Sequence, residues 1–160
     1  MFLQKIESEK APKAIGPYSP AIKLGDFVYL SGQIPVNPET GVMAETIEEQ
    51  TAQVMKNIEG LLSEMNLELR HIVKTTVFVT DLGEFSRMNE VYASYFDERY
   101  PYPARSCVQV AALPKGAKVE IECLVLDTLA YEQQMMQGCG GCSGSGCGSE
   151  CCEGDCGCSE

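Results

Sequence analysis

Residues 100–110, YPYPARSCVQV, place an arginine and a cysteine two positions apart in a segment with the alternating, β-branched look of a strand. Residues two apart in a strand share a face, so Arg105, Cys107 and Gln109 point one way and Ser106, Val108 and Val110 the other. A planar guanidinium on such a face grips a carboxylate through two parallel charge-assisted hydrogen bonds. An arginine at a strand edge also snorkels into water with no partner, and the pattern alone leaves both readings open. Cys107 beside it resembles a nucleophile, but cysteine catalysis needs a stabilised thiolate and a partnered base. The only histidine, His71, opens a different apparent strand, where a lone histidine is ordinarily a surface or strand-end residue. A second reactive cluster closes the chain: Cys139 and Cys142 form a CxxC, Cys147 stands alone, Cys151 and Cys152 are adjacent, and Cys156 and Cys158 form a CxC. Thiols at this density, with Glu150, Glu153 and Asp155 among them and no basic residue, suit a soft cation such as Zn²⁺ or Cu⁺. A redox-buffering tail or a tail carrying disulfide or thioether crosslinks are the alternatives. No Walker-type loop or GxGxxG is present, so nucleotide chemistry has no support.

These residues need elements to hold them. After a short strand near residues 2–6, KAPKAIGPYSPAIKLG is punctuated by prolines and glycines into a loop with an extended piece, Ala21 to Leu24. Gly25-Asp26 then turns the chain into the strand FVYLSGQIPV. Thr46 with Glu49 fits a capping box, and Ile47, Val54, Met55, Ile58, Leu61, Leu62 and Met65 recur at helical spacing, predicting an amphipathic helix of about five turns. HIVKTTVFVT, 71–80, reads as a strand with Val73, Val77 and Val79 on one face and Lys74, Thr76 and Thr80 on the other. A second helix is expected from near Asp81 to Glu84 toward Arg99, burying Phe85, Met88, Tyr92, Tyr95 and Phe96, with Pro101 and Pro103 stopping it. The strand bearing Arg105 and a last strand, VEIECLVLD, complete a β β β α β α β β order. That order predicts an α+β layer with two helices on one sheet face. The opposite face is expected to display Arg105 and Glu120 among apolar neighbours, a mixture that suits a subunit interface with polar pockets.

Length and charge narrow the classes. The chain of 160 residues is long enough for one core, and its cysteine-rich end is too short for a second. We expect a folded domain at 1–129, a linker at 130–137, and a flexible Cys/Gly-rich tail at 138–160 that is disordered without a ligand. The net charge of −11 makes nucleic acid a poor partner. No apolar run approaches a membrane span, and the N-terminus lacks a signal-peptide core, so a soluble cytoplasmic protein is expected.

Three segments carry a resemblance. IGPYSPAIKLGDFVYLSGQIPVNPETG, IVKTTVFVTDLGEFSRMNEVY and PARSCVQVAALPKGAKVEIE strongly resemble the Rid family, also called YjgF, of reactive enamine/imine deaminases, in order, spacing and identity over about residues 1–127. The resemblance implies a chorismate-mutase-like fold, a mixed β-sheet in a homotrimer with pockets between subunits. It also implies hydrolysis of 2-iminobutanoate or 2-iminopropanoate, products of pyridoxal-phosphate-dependent dehydratases, to 2-oxo acids and ammonia. Arg105 matches the family's carboxylate clamp. Glu120 matches the acid that positions or activates water. Tyr18 matches a pocket-closing tyrosine, Gly32 a site whose missing side chain opens the backbone to ligand, and Asn89 a pocket asparagine. Ser31 helps shape the pocket, and Cys107 contributes its backbone carbonyl. An imine carbon is already electrophilic, so no catalytic cofactor is expected. Rival readings are a ligand-binding or chaperone-like protein on the same scaffold, and an endoribonuclease or translation inhibitor. The acidic balance makes the last the least attractive. The usual family members end near the last strand, so the tail is a departure on which the resemblance is silent.

Overall fold

The computed structural model describes residues 3–138; the candidate metal ligands Cys139 to Cys158 lie outside the described residues. Thr46 begins the helix that the periodicity predicts. Its Oγ1 accepts the Glu49 backbone N–H at 3.3 Å and donates to the Glu49 carboxylate at 2.7 Å, closing a variant of the capping box at the head of α1, Ile47–Ser63. Ile47, Val54, Met55, Ile58, Leu61 and Leu62 are all buried, each worth about 1.5–3 kcal/mol of apolar transfer. Gly60 interrupts this stripe for a reason: a Cβ there would stand 2.8 Å from the carbonyl oxygen of Lys10, so the N-terminal loop crosses the helix where only glycine leaves room.

The helix packs on a six-stranded sheet made of β1 (Leu3–Ile6), β2 (Ala21–Leu24), β3 (Phe27–Gln33), β4 (Ile72–Val79), β5 (Ala104–Gln109) and β6 (Val119–Leu126). Their spatial order is β1-β2-β3-β6-β4-β5. All neighbours are antiparallel except β4 and β5, which run parallel because α2, Phe85–Ser94, connects them as a crossover. Both helices lie on one face, where Val28, Leu30, Val77, Val79, Val119, Ile121 and Val125 are buried, so the α+β expectation with two helices on one face holds. The segment 130–137, expected as a linker, falls within a helix, α3, Leu129–Gly138.

Two elements differ from the sequence reading. In β4 a bulge intervenes between Ile72, opposite Val125, and Lys74, opposite Leu124. Val73 is therefore an extra residue, 44% exposed, and buried Thr75 takes the inward place that strict alternation gives it. Helix α2 stops at Ser94, not near Arg99: Asp81 caps a separate turn at Leu82–Glu84, and Asp97 accepts the Arg99 N–H at 2.9 Å in the loop beyond. Met88 and Tyr92 are its buried residues, while Phe85, Tyr95 and Phe96 are only half-buried. His71 stands at the strand start, as expected, but is buried. Its Nδ1 accepts the Glu68 N–H at 3.0 Å, which closes the turn leading into β4.

Candidate active site

Strand register determines what Arg105 can meet. Across β4 and β5, Thr75 opposes Arg105, Val77 opposes Cys107 and Val79 opposes Gln109. Paired residues share a face, and Thr75, Val77 and Val79 face the helices, so Arg105 does too. Its guanidinium carbon lies 4.8 Å from the ring centre of Tyr92 and 5.6 Å from that of Phe85, both on α2. Glu120 instead alternates with buried Val119 and Ile121 and opposes Phe78, which places it on the uncovered face. The expectation that Arg105 and Glu120 share the uncovered face is thus corrected. On this edge strand Val108 is 42% exposed and points away from the helices with Ser106.

Around Arg105 the edge of the molecule forms an open recess of about 470 Å³ lined by Asn89, Tyr92, Ala93, Tyr102, Pro103 and Arg105. Tyr92 is fixed from beneath: its hydroxyl shares a 2.9 Å hydrogen bond with the Thr75 hydroxyl. Burial pushes the Tyr92 phenol up, so it stays protonated at neutral pH. The other arginines all pair with carboxylates, Arg70 with Glu68, Arg87 with Glu48 and Arg99 with Asp97. Arg105, alone of the chain's arginines, has no carboxylate partner among the described residues. A guanidinium seated on aromatic faces and lacking an anion is equipped to receive one from outside. Cys107 lies on the same strand face, and burial raises its thiol pKa although Arg105 opposes the rise. Burial also raises Cys123, so neither described thiol is poised as a thiolate nucleophile.

The opposite face holds a second group. Leu30 opposes Cys123 and Gln33 opposes Ile121, so a bulge at Ser31–Gly32 faces Glu122. The Ser31 hydroxyl donates to the Ser19 carbonyl at 2.7 Å and its N–H to Pro20 at 2.9 Å, tying the bulge to the loop that carries Tyr18. Tyr18 and Ser31 line a recess of about 620 Å³ with Tyr29, Lys74, Thr76 and Glu122. Tyr18 is 48% exposed, and its hydroxyl accepts the Ile15 N–H at 3.4 Å. At Gly32 the space that a side chain would fill is taken by Glu120: a Cβ there would lie 1.8 Å from Glu120 Oε1 and 2.7 Å from its Cδ. The glycine therefore houses the Glu120 carboxylate. Burial, and secondarily the Glu122 charge, raises the Glu120 pKa from its ordinary value.

Within one chain the candidate residues thus fall into two sets, Asn89, Arg105 and Cys107 on the helix side at one sheet edge, and Tyr18, Ser31, Gly32 and Glu120 on the uncovered side. Thr75, Tyr92 and Phe85, which surround Arg105, escaped the sequence reading. Tyr92 sat in a helical core stripe, and Thr75 lies in alternation with Val77 and Val79 but reads as a polar residue of the wet face. A tyrosine in such a stripe was the available signal, because a buried phenol needs a partner.

Comparison with known proteins follows the same boundaries. The family model described as Endoribonuclease L-PSP matches residues 8–126. The chain is 47% identical over 122 residues to a Salmonella typhimurium protein named 2-iminobutanoate/2-iminopropanoate deaminase, covering 76% of this chain and 95% of that one. Its fold matches a crystal structure of TdcF from Escherichia coli with bound serine, at TM-score 0.74 and 45% identity over 77% of this chain and 98% of that one. A structure titled as a putative endoribonuclease from Thermotoga maritima matches at TM-score 0.73 and 46% identity over 77% and 96%.

Proposed function

Because the chain belongs to the Rid (YjgF/RidA) family, several of whose members at this level of identity are named reactive intermediate or 2-iminobutanoate/2-iminopropanoate deaminases, we propose that it hydrolyses 2-iminobutanoate and 2-iminopropanoate to 2-oxo acids and ammonia. The observation that carries this reading is the unpaired Arg105 guanidinium, seated on Tyr92 and Phe85 beside an open recess. A 2-imino acid brings the missing anion, a carboxylate one bond from the C=N carbon, and a bidentate clamp on it fixes that carbon for attack. The bound serine of the related TdcF structure, an amino acid with an α-carboxylate, fits the same chemistry.

Water is the nucleophile. Glu120 takes a proton from water as the water oxygen bonds to the imine carbon, and the C=N pair that moves to nitrogen is protonated there. The resulting carbinolamine then collapses: the hydroxyl loses its proton as the C=O bond forms, the C–N bond breaks with a proton delivered to the leaving nitrogen, and ammonia and the 2-oxo acid depart. No step calls for a metal or organic cofactor. Since Arg105 and Glu120 lie on opposite faces of one sheet, the working site joins Arg105, Asn89 and the Cys107 carbonyl of one copy with Tyr18, Ser31, Gly32 and Glu120 of another. The exposed Phe27, Tyr29 and Val108 of the uncovered face supply apolar area for such contact, and a homotrimer satisfies it. A cytoplasmic location, beside the pyridoxal-phosphate enzymes that would supply the substrate, is part of the same proposal. No helix among the described residues is long and apolar enough to cross a membrane.

The test is ammonia release from freshly generated 2-iminopropanoate by wild type and Arg105→Lys. Lysine keeps the charge and loses the fork, which costs about 2–5 kcal/mol, at least tenfold in turnover. Ammonia release by wild type with near-normal release by the lysine variant refutes the clamp; binding without turnover by wild type favours the sensor or chaperone reading. The ribonuclease label of the matching family is separated by incubating defined RNA with wild type and Arg105→Ala side by side. For the terminal cysteines, Cys139, Cys142, Cys147, Cys151, Cys152, Cys156 and Cys158, we retain Zn²⁺ or Cu⁺ binding on ligand density alone, independent of catalysis.

A further inference from the structure

An arginine that captures substrate from an edge strand has a long, rotatable side chain and few neighbours to hold it. Here Arg105 is exposed, yet it is not free to swing. Its guanidinium carbon lies 4.8 Å from the ring centre of Tyr92 and 5.6 Å from that of Phe85, and Tyr92 packs in turn at a tilt against Phe96, 4.9 Å between ring centres. Tyr92 is 3% exposed, and its hydroxyl meets that of Thr75, 1% exposed, at 2.9 Å. Thr75 is also the residue directly opposite Arg105 across the β4–β5 ladder. The contacts therefore close a loop from strand to helix and back: Arg105 to the Tyr92 ring, the Tyr92 hydroxyl to Thr75, and Thr75 through the ladder to Arg105.

We infer that Tyr92, locked by Thr75, is a positioning residue for the substrate-binding guanidinium and sets the affinity for the substrate carboxylate. This rests on the reading of Arg105 as the carboxylate anchor. Tyr92 is not an acid or base for the reaction, because Thr75 occupies its hydroxyl within the protein and burial keeps the phenol protonated. What it offers outward is the negative face of its ring, which holds a cation in place without neutralising it as a carboxylate would. A glutamate at this position would satisfy Arg105 and leave nothing for the substrate. An aromatic face restricts the guanidinium and leaves its hydrogen-bond donors unspent.

The experiment compares steady-state ammonia release from 2-iminopropanoate by full-length wild type, Tyr92→Leu, Tyr92→Phe, Thr75→Val and Arg105→Lys. Tyr92→Leu keeps an apolar side chain and removes the ring face; KM is expected to rise about tenfold with kcat changed far less. Tyr92→Phe restores the ring and with it most of the affinity, a rescue that loss of core packing does not give. Thr75→Val preserves shape and leaves the ring unheld, raising KM about threefold, and it carries the test alone if Tyr92→Leu does not fold. Unchanged KM in every folded variant, or equal KM in Tyr92→Leu and Tyr92→Phe, overturns the inference. If Arg105→Lys raises KM while the Tyr92 and Thr75 variants do not, only this inference fails. If Arg105→Lys itself leaves KM and kcat untouched, the anchor reading fails and this inference with it.

Discussion

Gly32→Ala tests how Glu120 is held. The added Cβ would lie 1.8 Å from Glu120 Oε1, 2.7 Å from Cδ and 3.0 Å from Cγ, an overlap that must be relieved. Two responses compete. Forcing both groups into the existing space is overpacking, at about 1–3 kcal/mol, whereas turning the end of the glutamate side chain away from its preferred rotamer costs about 0.5–1.5 kcal/mol. Gly32 is not among the glycines with positive φ, so alanine brings no backbone strain. The carboxylate is the part that moves. The variant should therefore fold and assemble, with a stability loss below about 1.5 kcal/mol by urea denaturation, and lose about 10²–10⁴-fold in kcat/KM as a displaced acid–base group does. A double-mutant cycle decides between mechanisms. In a Glu120→Ala background the carboxylate is gone, and Gly32→Ala should then cost little further activity. If the single variant retains full activity, or if its loss is undiminished in the Glu120→Ala background, Gly32 acts in some way other than housing Glu120, and the argument fails.

The acid limb of the kcat/KM profile should report Glu120. Its pKa is raised first by burial and then by the Glu122 charge, so activity should rise with pH through a value above an ordinary glutamate. Glu122→Gln removes the second cause and should move that limb to lower pH; an unmoved limb assigns the titration elsewhere. Because the folded pKa is raised, ionised Glu120 opposes folding. Its stability cost is absent at low pH and grows as pH rises from the unfolded value through the folded one, so Glu120→Gln should gain stability relative to wild type at neutral pH and not below the ordinary carboxylate range. Truncation after Gln137 should leave deaminase activity and assembly intact while abolishing retention of Zn²⁺ or Cu⁺ by the reduced protein. Equal metal content in the full-length and truncated chains by mass spectrometry refutes the tail site.

Much of the scaffold was legible because its signals were strong and local. Thr46 and Glu49 marked the start of α1, and a stripe from Ile47 to Leu62 marked its buried face. In β4 the alternation grouped Val77 and Val79 on the buried face, and only Val73 departs from it, because the bulge there adds a residue that no local pattern announces. For β5 the alternation correctly grouped Arg105 with Cys107 and Gln109 but carried no information about which group faced the helices. The role of Gly32 was hidden for a related reason. It depends on the Ser31–Gly32 bulge bringing Glu120, from a strand distant in sequence, against one Cα atom. Family resemblance named the candidate residues; only the register separates them into two sets.

In the proposed site, Arg105 of one copy works with Glu120 of another. Coexpression of Arg105→Lys and Glu120→Gln chains, each expected to be nearly inactive alone, tests it directly through ammonia release from 2-iminopropanoate. In randomly mixed cyclic oligomers about a quarter of the sites between copies combine an intact Arg105 with an intact Glu120, so about a quarter of wild-type activity should return. Assembled mixtures that remain as inactive as the parent variants would contradict the account, because a site contained within one chain gains nothing from mixing.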